Sequence, residues 1–304
     1  MISLNRSESS RCWLRWCIVV SMLMLGIRAE EPAKAAAAPA PRPPEVTPLE
    51  LPGAEARVFH TTPQGEMRLH VFKPEGWRAG DRRAAFVWFF GGGWTTGTPT
   101  NAAYWAKIAA EWGMVGVAPD YRTKGRHGTP PQMSVADARA AVHWVQAHAA
   151  ELGIDPVKVV VGGNSAGGHV ALWTAIRHAP PGSDEKESPH APPAALVLTS
   201  PVSDTSKATG YTPTRFGDDA EALSPLHQLD AKMPPLLLFH GDADKTVPQR
   251  ESIDLARKYA ATGNGCEFVS VPGGSHNFGG DLPEWREKTR AMVREFLVKQ
   301  KVLP

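Results

Sequence analysis

The sequence predicts an α/β protein in which a mostly parallel sheet is covered by helices on both faces. From residue 84 onward, short apolar runs alternate with longer amphipathic segments of helical length, and buried parallel strands give such unbroken apolar runs. Before them, two short strand-like segments, residues 56–60 and 67–72, flank Thr-Pro-Gln-Gly, which is a turn signal. We therefore expect an antiparallel pair at the start of the sheet.

The remaining elements follow in chain order. The predicted strands are residues 84–90, 114–118, 157–161, 194–198, 235–239 and 268–271. The predicted helices are residues 101–112, 134–149, 166–178, 249–262 and 284–300. Because no linker-like break interrupts the alternation, we expect a single domain over residues 53–304. The segment between the strands at 194–198 and 235–239 lacks a long amphipathic pattern, so we expect little or no cap.

The first 52 residues differ in composition from the rest of the chain. Three arginines precede a short apolar stretch, residues 16–27, which predicts a signal peptide over residues 1–29. The alternative is an uncleaved membrane anchor, but a spanning helix needs about 20 apolar residues. Residues 30–52 are rich in Ala and Pro and are expected to form a linker. We therefore expect a secreted or periplasmic protein.

The bulk composition excludes some classes of partner. The net charge of +2 gives no reason to expect nucleic acid or an anionic membrane surface, and we expect no membrane association after signal cleavage. The basic cluster at residues 122–127 has no interleaved aromatic residue and is expected to be a solvated loop. Only Cys266 follows the predicted signal peptide, so the mature chain has no intramolecular disulfide. The sequence leaves the oligomeric state open.

A Gly-Asn-Ser-Ala-Gly sequence at residues 163–167 lies between a predicted strand and a predicted helix. In this context a serine occupies a sharp turn that projects its hydroxyl above the sheet, and small neighbours let helix and strand approach each other. The helix that follows directs its N-terminal N–H groups toward developing negative charge. Ser165 is therefore the candidate nucleophile. A glycine-rich turn with an idle serine is the alternative interpretation.

A second glycine-rich segment, Gly-Gly-Gly-Trp at residues 91–94, follows the first long apolar strand. Glycines allow backbone N–H groups to approach an oxygen without a side chain in between. We predict that the N–H groups of Gly92, Gly93 and Ala166 form an oxyanion hole. A plain turn and a phosphate-binding loop are the alternatives, although the Gly-Lys-Ser or Gly-Lys-Thr of a P-loop is missing.

A serine hydroxyl needs a neighbouring base to become a strong nucleophile. His276 follows the last predicted strand, at the edge of the sheet where open α/β folds bind ligands. His240, which ends the preceding strand, is the strongest alternative. Asp242 and Asp244 follow that same strand and compete as the carboxylate that orients the base. Their spacing does not choose between them, and both could also cap the loop.

These strings resemble a known family. Gly-Asn-Ser-Ala-Gly-Gly, Gly-Gly-Gly-Trp, His-Gly-Asp-Ala-Asp-Lys-Thr-Val-Pro and Gly-Ser-His-Asn-Phe are similar to motifs of the α/β-hydrolase carboxylesterases, in their hormone-sensitive-lipase-like and acetyl- or feruloyl-esterase branches. The resemblance extends over residues 84–296, and the order Ser, Asp, His is the order of this fold. It implies that Asp244 orients His276. The family usually has a histidine before the glycine triplet, where this chain has Phe90, and this change affects the loop of the oxyanion hole.

The resemblance implies an α/β-hydrolase fold and a serine carboxylesterase that forms an acyl-enzyme and needs no metal or organic cofactor. We expect its substrates to be small-molecule or glycan esters with short-acyl or aromatic-acyl groups. Trp94 and Phe278 beside the candidate site are the predicted substrate contacts, with core packing as the alternative. A serine peptidase of the same fold and a non-catalytic binding protein on a hydrolase scaffold are the competing functions.

Overall fold

The computed structural model describes residues 46–182 and 191–304. The predicted signal peptide and all but the last residues of the predicted linker lie outside this part of the chain. The strands are β1 (Glu55–Thr62), β2 (Gly65–Phe72), β3 (Arg83–Phe89), β4 (Val115–Pro119), β5 (Ile154–Asn164), β6 (Ala195–Thr199), β7 (Leu236–Gly241) and β8 (Cys266–Val271). The helices are α1 (Pro99–Glu111), α2 (Lys124–His127), α3 (Pro131–Ala147), α4 (Ala149–Leu152), α5 (Ala166–Trp173), α6 (Pro225–Gln228), α7 (Arg250–Ala261), α8 (Phe278–Asp281) and α9 (Pro283–Lys299).

The strands form one sheet in the order β1-β2-β4-β3-β5-β6-β7-β8. The pairs β1–β2 and β2–β4 are antiparallel, and all pairs from β4–β3 to β7–β8 are parallel. The predicted parallel sheet with an antiparallel start is therefore confirmed. Because β4 and β5 lie on opposite sides of β3, the strand order reverses at β3. Such a reversal leaves a crevice at the carboxyl ends of the strands, where ligands bind in open α/β sheets.

Helices cover both faces of this sheet. On one face Trp88 of β3 stacks on Trp105 of α1 with ring centroids 5.0 Å apart, and a Cβ on Gly162 of β5 would collide with the Trp88 ring. A Cβ on the next residue, Gly163, would instead overlap Gly167 of α5. Since successive positions of a strand face opposite sides of a sheet, α1 and α5 lie on opposite faces.

The basic cluster at residues 122–127 is not a solvated loop. Its last four residues form α2, and the side chains of both of its arginines are buried in ion pairs. Arg122 pairs with Asp137 at 2.8 Å, and Arg126 pairs with Asp120 at 2.6 Å. The prediction of a solvated loop is wrong, because both guanidinium groups are neutralised by buried carboxylates. One carboxylate lies near its arginine in the sequence and the other lies far from it, so the sequence alone does not reveal these pairs.

The segment between β6 and β7 is described in full and contains only short helical turns. These are two 3₁₀ turns, Pro213–Arg215 and Gly217–Asp219, and the single turn of α6. For this segment, the prediction of little or no cap is confirmed. The helix expected over residues 166–178 is shorter and ends at Trp173. Within residues 46–182 and 191–304, no helix has the length and apolar character needed to cross a membrane.

The end of the predicted linker contacts the folded domain. Leu51 is buried in the hydrophobic core. The hydroxyl of Thr47 donates to Oδ2 of Asp120 at 3.1 Å and accepts a hydrogen bond from Arg126. The folded part of the chain therefore includes residues that precede position 53, where the composition places the domain boundary.

Candidate active site

Ser165 lies in the turn between β5 and α5, as the glycine pattern predicts. Its backbone has φ +55° and ψ −124°, and a positive φ in a residue other than glycine costs on the order of 1–3 kcal/mol. Hydrogen bonds hold this conformation: the N–H of Ser165 donates to the carbonyl of Thr199 at 3.1 Å, and its carbonyl accepts from the N–H of Gly168 at 3.0 Å. A side chain on Gly163 or Gly167 would overlap backbone atoms. The fold therefore forces Ser165 into the tip of a strained turn, where its residue is largely buried.

Asp244 lies in the loop after β7, and its carboxylate is completely buried. Oδ2 lies 2.7 Å from Nδ1 of His276. Oδ1 accepts hydrogen bonds from the N–H groups of Thr246 at 2.8 Å and Val247 at 3.0 Å. Burial by itself raises the pKa of this carboxyl group, but the hydrogen bond from His276 and the two backbone N–H groups outweigh burial and lower the pKa below its usual value. Asp244 is therefore held in the ionised form.

His240 is a second partner of the same carboxylate. Its Nε2 lies 3.1 Å from Oδ2 of Asp244 and 2.9 Å from the carbonyl of Val247, and its Nδ1 lies 2.7 Å from the hydroxyl of Ser252. Burial lowers the pKa of His240, so we assign a neutral ring with the proton on Nε2. The side chain faces Asp244 and not the cavity. His240 is thus placed to orient the carboxylate, and the sequence-based alternative that made it the base is not supported by this geometry.

Asp242, the competitor of Asp244, has a different role. Its Oδ1 accepts a hydrogen bond from the N–H of Gly273 at 2.7 Å. Gly273 belongs to the loop that carries His276, and that loop is also bound by the N–H of Ala243, which donates to the carbonyl of Gly274 at 3.0 Å. Asp242 therefore supports the backbone of the histidine loop, and the contact with the imidazole belongs to Asp244.

Ser165 and His276 border the same crevice. His276, Asn164 and Gly91 line a cavity of about 590 Å³, and a Cβ on Gly91 would lie 3.2 Å from Cβ of Ser165. Among the contacts of the described residues, Ser165 Oγ and His276 do not form a hydrogen bond with each other. Contacts between a nucleophile and its base are often long in the absence of substrate. Proton transfer from Ser165 to His276 therefore requires a movement of these side chains toward each other.

The glycine loop borders this cavity through Gly91 and Gly92. Gly92 has φ +123°, a value open to glycine, and its carbonyl accepts hydrogen bonds from Thr95 and Thr96. Ala166 is the first residue of α5, so its N–H has no partner within the helix. Gly93 is held through its carbonyl, which accepts from Arg215 at 2.9 Å. The positions of Gly92 and Ala166 are compatible with their N–H groups donating to an oxyanion. The role of Gly93 as a third donor stays a prediction.

Phe90 holds the glycine loop by stacking. Its ring lies flat on the ring of Tyr121, with centroids 4.0 Å apart and an angle of 8° between the planes. The hydroxyl of Tyr121 donates to the carbonyl of Phe90 at 2.7 Å. A Cβ on Gly97, which follows the loop, would touch the Phe90 ring. The position at which the resembled family carries a histidine is therefore filled here by an aromatic pair that fixes the start of the loop.

The predicted substrate contact of Trp94 is wrong. Trp94 has φ +58°, and its side chain is buried below the loop. It packs edge to face against His169 of α5 and Phe216, with ring centroids 5.1 Å and 4.8 Å away. The core-packing alternative applies because the backbone turns the ring away from the cavity. Phe278 does line the cavity, although it is largely buried, and its contact with substrate stays a prediction.

The cavity wall contains aromatic residues that the sequence analysis did not single out. Trp88, Tyr104 and Trp105 line it, and Tyr104 packs edge to face on Trp105 with centroids 5.7 Å apart. These side chains belong to a buried strand and to an amphipathic helix, where the sequence pattern indicates core residues. Their proximity to Ser165 depends on the pairing of β3 with β5, which the sequence does not show. In the described ranges, no group of three or more His, Cys, Asp or Glu side chains is placed to hold a metal ion.

Comparisons with known proteins add an independent line of evidence. The profile of the BD-FAE family matches residues 69–259. The carboxylic ester hydrolase LipN of Mycobacterium tuberculosis is 34% identical over 129 residues, which cover 42% of this chain and 31% of LipN. The carboxylesterase NlhH of the same species is 37% identical over 98 residues, which cover 31% of this chain and 30% of NlhH. The matched region thus spans about a third of the length of these curated relatives.

Solved structures match over a larger part of the chain. A thermophilic esterase of Thermogutta terrifontis, solved with propionate bound, has a TM-score of 0.76 and 37% sequence identity, and the match covers 83% of this chain and 96% of that one. The apo form of Thermogutta terrifontis esterase 2 has a TM-score of 0.78 and 38% identity, with coverage of 84% and 97%. The fold described above is therefore shared with a solved esterase.

Proposed function

The chain belongs to the BD-FAE family, within the α/β-hydrolase carboxylesterases, and from this membership we propose that it is a carboxylic ester hydrolase with Ser165 as its nucleophile. The observation that carries the proposal is the 2.7 Å contact between Nδ1 of His276 and Oδ2 of buried, ionised Asp244, beside the strained turn of Ser165. A base, its orienting carboxylate and an activated hydroxyl are the groups that acyl transfer requires.

In the proposed mechanism, Ser165 Oγ attacks the ester carbonyl while Nε2 of His276 takes its proton. Asp244 accepts the Nδ1–H of His276, which fixes the tautomer and stabilises the imidazolium. The N–H groups of Gly92, Gly93 and Ala166 bind the oxyanion of the tetrahedral intermediate. His276 then protonates the leaving alcohol, and a water molecule repeats the sequence on the acyl-enzyme.

The test combines a variant with a covalent label. Ser165→Ala should lower kcat by about 10⁴-fold or more while leaving thermal unfolding unchanged. Because Thermogutta terrifontis esterase 2 has been solved phosphorylated by paraoxon, we expect paraoxon to add one phosphoryl adduct to this protein on the peptide that contains Ser165. A folded Ser165→Ala protein with more than a tenth of wild-type activity, or an adduct on another residue, would refute the proposal.

The proposed substrates are esters with short-acyl or aromatic-acyl groups, including esters of carbohydrates. The cavity of about 590 Å³ has aromatic walls on which a phenolic or sugar ring can stack, and there is no long helical cap in the fully described segment after β6. The measurement is kcat/KM across acetyl, butyryl, octanoyl and feruloyl esters and acetylated xylo-oligosaccharides. A maximum at the octanoyl ester, without release of acetate or ferulate from the glycan and feruloyl esters, would contradict this substrate class.

We also propose that the protein is exported, because residues 1–29 have the basic and apolar regions of a signal peptide. Expression of the full chain in a Gram-negative host should yield a protein whose N-terminus lies after the predicted cleavage region. Recovery of the intact N-terminus from the membrane fraction would support the anchor alternative.

A further inference from the structure

The described lining of the cavity beside Ser165 carries a positive charge and no negative charge. Among the described residues that line it, Arg286 of α9 carries a full positive charge, and no Asp or Glu is present. The other lining side chains are aromatic, hydroxyl or amide groups, apart from His276. A binding site that offers a cation and hydrogen-bond donors without a carboxylate favours an anionic ligand.

Arg286 is fixed at the cavity wall by its backbone partner. Its Nε donates to the carbonyl of Gly279 at 2.8 Å, and Gly279 itself lines the cavity. Within the described chain, Arg286 forms no ion pair with a carboxylate. A guanidinium group has five N–H donors, so the two terminal nitrogens retain their donors for a ligand.

Nearby carboxylates are engaged with other partners. Glu111 and Glu287 pair with Arg290, at 2.9 Å and 3.6 Å. Asp281 accepts a hydrogen bond from the hydroxyl of Ser275. The positive charge of Arg286 is therefore not compensated by a direct partner, although Arg290 lies only one helical turn away.

The part of the cavity wall formed by α1 adds donors. Asn101 of α1 uses Oδ1 to accept the N–H of Thr98 at 3.1 Å, which leaves its amide nitrogen as a donor. The side chain of Tyr104 also lines this wall. The N-terminal end of α1, a helix of 13 residues, adds partial positive charge at the same side of the cavity.

We propose that Arg286 is a specificity-determining residue that selects esters carrying a carboxylate at the end remote from the scissile bond. The inference rests on the proposed esterase function and adds a substrate class to it. The carboxylate can belong to the acyl part or to the alcohol part of the ester. In both cases its oxygens accept a forked pair of hydrogen bonds from Arg286 while the aromatic walls contact the middle of the substrate.

The experiment compares matched esters in which a carboxylate is replaced by a neutral carboxamide of similar size. For the acyl part, the pair is methyl 3-(4-carboxyphenyl)propanoate and its 4-carbamoyl analogue. For the alcohol part, the pair is 4-(acetoxymethyl)benzoate and 4-(acetoxymethyl)benzamide. The wild-type protein should prefer the carboxylate in at least one pair by about three- to tenfold in kcat/KM, chiefly through a lower KM. The preference should decrease from about 0.05 M to about 0.5 M NaCl.

Arg286→Gln should abolish this preference, measured as the ratio of kcat/KM for the carboxylate ester to kcat/KM for its neutral partner, because any change common to both esters cancels in this ratio. Arg294→Gln, at an exposed arginine further along the same helix, is the matched control, and it should keep the preference. Equal use of both members of both pairs by active wild-type protein, or an unchanged preference in Arg286→Gln, would overturn the inference and leave the esterase proposal intact. A failure of the proposed function would give a different result, since the Ser165→Ala variant would then retain activity.

Discussion

Nε2 of His240 lies 3.1 Å from Oδ2 of Asp244, on the same oxygen that holds the imidazole of His276. With the N–H groups of Thr246 and Val247 on Oδ1, the carboxylate has four donors and no contact with bulk water. Such a carboxylate is fixed in position and cannot rotate to offer a different oxygen to His276. The orientation of His276, the candidate base, therefore depends on His240, which acts through Asp244 and does not contact the candidate reacting atoms.

The first prediction concerns this relationship. His240→Leu removes one donor from a buried carboxylate and leaves the hydroxyl of Ser252 without its partner, so we expect kcat to fall about tenfold and stability to fall by about 1–3 kcal/mol. The measurements are kcat with a neutral ester and urea unfolding. Ser252→Ala is the control, because it removes the Nδ1 partner alone and should lower stability more than kcat. An unchanged kcat in folded His240→Leu would limit His240 to a structural role.

The second prediction separates the two aspartates. Asp244→Asn should lower kcat by about 10⁴-fold, because the N–H groups of Thr246 and Val247 hold the amide oxygen. The amide nitrogen then faces His276 as a donor to Nδ1, which fixes the wrong tautomer. Asp242→Asn should lower kcat less than about threefold, since the amide oxygen can still accept the N–H of Gly273. The two variants are compared at neutral pH with one ester. Equal losses, or a larger loss in Asp242→Asn, would show that the contact in the structure does not mark the orienting residue.

The third prediction concerns Glu251, a buried residue at the start of α7. Its Oε2 accepts the N–H groups of Ser203 at 3.0 Å and Asp204 at 2.7 Å. Burial, aided by the charge of Asp204, raises its pKa from 4.5 to about 6 despite these hydrogen bonds. Between these two values the folded protein holds a proton that the unfolded chain has released. Stability should therefore fall as pH rises through this window, by at most about 2 kcal/mol.

Glu251→Gln removes this titration and keeps an oxygen for the two N–H groups. The stability of the variant relative to wild type should therefore increase as pH rises from about 4.5 to about 6 and stay constant above it. Urea unfolding across this range gives the comparison, with exposed Glu75→Gln as a control that should follow the wild type. A difference that is constant with pH would contradict the raised pKa of Glu251.

The fourth prediction follows from the burial of Trp94. Trp94→Ala should destabilise the protein by about 3–5 kcal/mol, because it leaves a cavity between the glycine loop, His169 and Phe216. Trp94→Phe keeps most of the packing and should leave the ratio of kcat/KM for feruloyl and acetyl esters within about twofold. That ratio should instead fall in Trp105→Leu, whose ring lines the cavity. A change of the ratio in Trp94→Phe would restore Trp94 as a substrate contact.

The sequence predicted the parts of this site that depend on local chain geometry. A serine between glycines at a strand-to-helix junction can adopt few backbone conformations, so the turn of Ser165 was expected and is found. His276 and Asp244 follow neighbouring parallel strands, whose carboxyl ends meet at one edge of the sheet. The choice between Asp242 and Asp244 needed the family resemblance, because two positions two residues apart in a loop have the same local pattern.

The remaining features depend on contacts between distant parts of the chain. The sequence places Trp94 directly after the glycines of the loop, but it does not show whether the ring faces substrate or core. The positive φ of Trp94 cannot be predicted from the residue type. Trp88 and Trp105 resemble ordinary core residues in the sequence. The cavity beside them is created by the packing of α1 and α9 around the crevice, which the sequence does not show. Arg122 and Arg126 form a basic cluster in the sequence, and their charges are compensated by carboxylates that folding brings to them.

The glycines around Ser165 have a consequence for the mutational tolerance of the protein. A Cβ at position 91 would lie 2.7 Å from Nδ2 of Asn164, and a methyl group at position 163 or 167 would meet backbone atoms that cannot move aside. An alanine at any of these positions removes none of the candidate reacting side chains, yet it forces the turn of Ser165 to shift. Inactivating mutations in natural or laboratory variants should therefore concentrate at residues that take no part in the chemistry, and surveys restricted to reacting side chains would miss them.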